Sequence, residues 1–192
     1  MSSGSSGRPS SDPLSGSLRK VALLRGINVG RSPRISMDDL RACTEAAGGT
    51  AVTTVLATGN VLLTDPRPVT DLRAALEAAY AQRFDYRAVV QVVTLDSLAE
   101  TVTAYPFDTL EDHHDYVVFS DDPEVTDRVL REMHTAVAGT EAVATGPLGV
   151  YWRVPRGSTL SSDAAKVLDS RENKRHLTTR NLRTLARILA AG

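Results

Sequence analysis

The stretch "TAVTTVLATGNVLLT", residues 50–64, decides how the chain folds. It is rich in β-branched residues, which suit a pleated, half-buried surface. Thr58-Gly59-Asn60 interrupts it, and Gly-Asn tolerates the left-handed backbone that a tight turn needs. It therefore reads as two strands around a turn. Working outward, "KVALL" (20–24) is a short buried strand, and "SMDDLRACTEAAGG" (36–49) is a helix. Ser36 is its N-cap, Asp39 replaces the Glu of a capping box, and Gly48-Gly49 end it. Met37, Leu40, Cys43 and Ala47 recur at helical spacing, so Cys43 is expected in the core. On the other side, "PVTDLRAALEAAYAQRF" (68–84) is a helix opening at Pro68 or Thr70, and "YRAVVQVVT" (86–94) is a strand. The order strand, helix, strand, strand, helix, strand is the ferredoxin-like split βαβ, with one antiparallel four-stranded sheet.

Beyond it, "LDSLAETVTAY" (95–105) reads as a short helix stopped by Pro106. The second half then repeats the order imperfectly. "DYVVFS" (115–120) is a strand, and "DPEVTDRVLREMHTAVAG" (122–139) is a helix capped by Asp121 or Asp122. "EAVATG" and "GVYWRVP" are strands around Gly146-Pro147, and "SDAAKVLDS" is a helix. "TTRNLRTLARILAA" (178–191) reads as a final helix where the parallel asks for a strand. The expected class is α+β: two tandem ferredoxin-like subdomains, residues 18–105 and 106–192, with antiparallel sheets. Residues 1–17, rich in Ser, Gly and Pro, are expected to be a disordered leader, with "MSSGSSG" an expression tag.

Composition narrows the function classes. At 42 % apolar, 192 residues build a sizeable core without staples. A single cysteine excludes an internal disulfide and fits the reducing cytoplasm. No run approaches the ~18 apolar residues of a membrane-spanning helix. A net charge of −1 argues against a dedicated nucleic-acid protein. Charge is nonetheless uneven: 19–34 and 166–192 are basic, whereas 108–124 is acidic.

At "LLRGINVG", "TGN" and "TTRN" the chain resembles the domain of unknown function 1697 family, over roughly Lys20 to Leu189. The resemblance implies a two-part α+β fold and no established activity. The family continues after Gly30 with a further glycine and Lys-Asn, whereas Arg31-Ser32-Pro33 follow here. Thr58 replaces a serine, and Leu182 a tryptophan that either stacks on a ligand or fills core.

These three segments also hold the candidate site. Gly26 to Gly30 encloses three residues rather than a P-loop's four, so no Walker motif is present. Glycines still let backbone amides approach an anion, and Arg25, Arg31 and Arg34 supply charge. Asn28, Thr58, Gly59 and Asn60 add hydrogen-bonding groups, and the split-βαβ order brings strands 20 and 61 to one sheet. Thr178 or Thr179 is expected to cap the final helix, which places Arg180 and Asn181 in its first turn, where unpaired N–H groups favour anions. The plainer readings are a solvated basic loop, an ordinary turn and a solvated helix face. "EDHHD" (111–115) is taken as a polar connector rather than a metal site, because adjacent histidines diverge. No cofactor, metal or catalytic residue is assigned. The expected function is binding of an anionic or phosphate-bearing small ligand by this Arg/Asn cluster. An enzyme acting on a small anionic metabolite is the alternative. Nucleic-acid binding ranks last, since Tyr86 is the one aromatic on the first sheet's expected strands.

Overall fold

A computed structural model describes residues 18–28, 34–84, 89–120 and 122–192. Gly30, Arg31 and Tyr86, like the expected leader, lie outside the described residues. The first half runs β1 (Arg19–Leu24), α1 (Met37–Ala46), β2 (Thr50–Thr54), β3 (Asn60–Thr64), α2 (Val69–Phe84), β4 (Val90–Thr94) and α3 (Leu95–Thr103). The second runs β5 (His113–Phe119), α4 (Pro123–Ala136), β6 (Ala142–Gly146), β7 (Gly149–Pro155), α5 (Asp163–Asp169), β8 (Thr178–Asn181) and α6 (Leu182–Ala191). The strands form two four-stranded antiparallel sheets, ordered β2-β3-β1-β4 and β6-β7-β5-β8. The orders are the same once the second half is renumbered. The repeat is therefore complete.

That completeness corrects one expectation. Thr178–Asn181 is not helical: it is strand β8, paired with β5 through Tyr116↔Asn181 and Phe119↔Thr178. Two successive threonines favour a strand, and the helix starts only after Asn181, whose side chain accepts from the Arg183 amide. The first half ends the same way: Thr94 closes β4 and caps α3 by accepting from the Ser97 amide.

Local readings elsewhere agree. Ser36 Oγ accepts from the Asp39 amide at 3.0 Å and donates to its carboxylate at 2.6 Å. Asp122 caps α4, accepting from the Glu124 amide at 2.9 Å, and Asp121 lies outside the described residues. Cys43 is buried, and burial pushes its thiol above the ordinary pKa, as for a small core residue.

Alternation along the strands gives each sheet two buried faces. Ala22, Leu24, Val61 and Leu63 pack under α1 and α2. Val118, Val150, Trp152 and Val154 pack under α4 and α5. The opposite faces meet: Val21, Leu23, Leu62 and Val93 join Val117, Phe119 and Tyr151 in one central core with Leu98 of α3 and Leu185 and Ile188 of α6. Leu182 packs against this core, so leucine at this position fills space. Among the described residues no helix is long and apolar enough to cross a membrane.

Candidate functional site

Three segments distant in sequence meet where the two halves touch. β1 ends at Leu24, and the chain turns through Gly26 at φ 68° and Asn28 at φ 57°. Asn28 closes that turn with its side chain. It accepts from the Ile35 amide at 2.8 Å and donates to the Ile35 carbonyl at 2.9 Å and the Ala57 carbonyl at 3.4 Å. Gly59 sits against it at φ 75°. A Cβ there would stand 2.5 Å from Ile27 Cγ2 and 2.9 Å from Leu24 Cβ, so only glycine fits.

Arg180 joins the halves. It stands on β8 opposite Val117, so its side chain enters the central layer. Nε donates to Asn60 Oδ1 at 2.6 Å, and Nη1 to Thr178 Oγ1 at 2.8 Å and the Thr179 carbonyl at 2.9 Å. Nη2 reaches the Leu24 carbonyl at 2.6 Å and the Thr58 and Gly59 carbonyls at 3.3 Å. A guanidinium has five N–H donors, and these acceptors occupy all of them. Burial lowers its pKa to about 10, which leaves it charged at neutral pH, solvated by neutral protein oxygens. Asn60, also buried, passes the network on by donating to the Val55 carbonyl at 2.8 Å and Thr58 Oγ1 at 3.0 Å.

Arg25 makes the reciprocal contact from the first half. Its Nη1 donates to the Leu177 carbonyl at 3.0 Å, and its Nη2 pairs with Asp169 at 3.3 Å. Gln91 of β4 adds a bond to the His176 carbonyl at 3.0 Å. The halves thus exchange guanidiniums for carbonyls across their junction.

The sequence-predicted residues fall into two sets. Arg180, Asn60, Thr58 and Gly59 form one buried network, with Asn28 closing the adjoining loop. Asn181 is turned to the α6 cap. Arg25 and Thr179 instead line a cleft of about 310 Å³ beside this clasp, on the face of the second sheet that α5 covers. Register places Thr179 and Asn181 on that face and Arg180 on the other.

The cleft brings in residues that sequence reasoning missed. Tyr116 and Trp152, cross-strand neighbours, stack with ring centroids 5.3 Å apart and planes 30° from parallel. Thr159 adds a hydroxyl, and Leu160, 93 % exposed, stands at the rim. Trp152 Nε1 is held by Glu141 at 2.9 Å, which also accepts from Ser162 Oγ at 2.8 Å. The cleft exists because α5 has 7 residues where its counterpart α2 has 16. The available signal was that brevity: "SDAAKVLDS" is too short to span the face of a seven-residue strand that carries Trp152.

Fold and site together define a two-sheet α+β protein whose halves are clasped by buried polar groups beside an aromatic-walled cleft. The chain belongs to the family described as Protein of unknown function (DUF1697), which matches residues 18–151. In structure it is similar to the conserved bacterial protein SP0830 from Streptococcus pneumoniae. The two share 24 % identity and a TM-score of 0.74, over 90 % of this chain and 97 % of that one. That likeness concerns the fold. No curated protein matches the chain.

Proposed function

We propose that the protein binds a small anionic or phosphate-bearing ligand in the cleft at Arg25 and Thr179. The observation that carries this is the Arg25 guanidinium on the cleft wall, next to two threonine hydroxyls and an aromatic pair. Guanidinium forks match carboxylate and phosphate oxygens, and the hydroxyls add donors. Asp169, the carboxylate paired with Arg25, is 79 % exposed, so an incoming anion replaces it at small cost. The buried residues of the predicted cluster, Arg180, Asn60 and Gly59, serve this site by fixing its walls. Arg25 stays in place because Leu177 holds its other arm.

We also take the halves as tandem ferredoxin-like subdomains, residues 18–105 and 106–192, from the matching strand orders. The cytoplasm is the compartment we assign, since the chain's one cysteine is a buried thiol. Calorimetric titration with inorganic phosphate tests the proposal. Saturable one-site binding weakened at least tenfold by Arg25→Ala supports it, whereas equal affinity in the variant overturns it.

A further inference from the structure

The anion seat occupies only part of the cleft. Tyr116 and Trp152 line the same space, and Trp152 is 2 % exposed, so Tyr116 is the ring that a visitor meets. Register sets Trp152 on one side of Tyr116 through β7 and the short side chain of Asn181 on the other through β8. The aromatic stack therefore stops on the β8 side, the side that also holds Thr179. Leu160, Leu168 and Ala165 complete an apolar surround. Exposing a leucine as fully as Leu160 leaves apolar area in water that a ring in the cleft would cover.

Resting on the anion reading above, we infer that the ligand is a planar aromatic or heteroaromatic ring carrying one carboxylate or phosphate. Its ring extends the Trp152–Tyr116 stack and its anion replaces Asp169 on Arg25. Ring stacking on an aromatic side chain adds to the area it buries, and an offset parallel arrangement suits the quadrupoles. The volume sets the size. About 310 Å³ lies at the small end of ligand sites, so one or two fused rings fit and a dinucleotide does not.

Trp152 is the chain's single tryptophan, so its fluorescence reports this cleft alone. Titrate the wild-type chain with phenyl phosphate, cyclohexyl phosphate, inorganic phosphate and benzoate, following Trp152 emission and heat. Phenyl phosphate should bind about tenfold tighter than either of the other phosphates and alter Trp152 emission. Benzoate against phenyl phosphate tells a carboxylate head from a phosphate head. The saturated ring keeps charge and bulk but loses planarity, so this contrast needs no variant. Tyr116→Leu should erase the tenfold gap while leaving inorganic phosphate binding in place. If phenyl phosphate binds no tighter than inorganic phosphate, the ring seat is overturned and the anion reading stands. If none of the four compounds binds, both fail together.

Discussion

Val93 on β4 and Arg180 on β8 occupy the same place in the two halves. Each is the last inward-facing residue of an edge strand, one position before the residue that caps the following helix. Each is 9 % exposed and faces the central layer. In the first half the place holds an ordinary core side chain. In the second it holds a cation wrapped by six oxygens, four of them from the other half. A second difference sits on the outer faces, where α2 covers its sheet and the shorter α5 leaves a cleft. One strand order therefore supports a half whose sheet is covered by a long helix and a half whose sheet face opens into a cleft. The polar clasp holds the open half's edge strand to its partner.

Restoring symmetry at that place gives the largest expected effect. Arg180→Val puts the first half's residue into the second and strips partners from the buried Asn60 Oδ1 and the Leu24 carbonyl. Each buried acceptor left bare costs ~1–3 kcal/mol, so urea unfolding should register a loss of about 3–5 kcal/mol. A loss below ~1 kcal/mol would mean that the two places are interchangeable.

The first half has its own polar pin, at the entry to α2. The buried Asp65 accepts from Arg67 at 2.6 and 2.9 Å, and Arg67 also reaches the Ala47 carbonyl at 2.9 Å. The Arg67 guanidinium beside it holds the Asp65 carboxyl below its usual pKa. A lowered folded value means stability that is complete above the unfolded carboxyl's ~3.9 and is lost as pH falls through the folded value. Asp65→Asn should cost about 2 kcal/mol at pH 7. It should also flatten the stability curve below pH ~4. An unchanged acid slope would remove the pin.

In the shared central layer, Tyr105 donates to Asp115, which also accepts from Arg153 Nε at 3.1 Å. Burial first, and then the Asp115 carboxylate, push the Tyr105 phenol above its ordinary pKa. Tyr105→Phe should cost about 1 kcal/mol, read by thermal unfolding.

The smallest effect on stability belongs to the open cleft. Asp169→Asn removes a half-solvated ion pair and should shift stability by under ~0.5 kcal/mol. It should raise affinity for inorganic phosphate, because the competing carboxylate is gone. Weaker phosphate binding would show that Asp169 helps to build the seat.

Much of this was legible in the residues. The turn at 58–60 gave the hairpin, and the hairpin gave the first sheet's order. The meeting of Arg-Gly, Thr-Gly-Asn and Thr-Thr-Arg-Asn was expected too. What spacing could not show is which way each guanidinium turns. Arg180, Arg183, Thr184 and Arg187 share helical spacing, yet Arg180 belongs to a strand and points into the core. Four of its six partners are backbone carbonyls, three of them from the other half, and no residue type in a sequence advertises a carbonyl. The cleft stayed hidden for a related reason. Trp152 is core and Tyr116 looks like core too, until the length of α5 shows that its ring is only partly covered.

The claim beneath the comparison is that Arg180 and Asn60 act as one unit across the junction. A double-mutant cycle with Asn60→Ala and Arg180→Met, read by urea unfolding, measures it directly. A hydrogen bond to a buried charge predicts a coupling of about 1.5–3 kcal/mol. Additivity within ~0.5 kcal/mol would contradict the clasp.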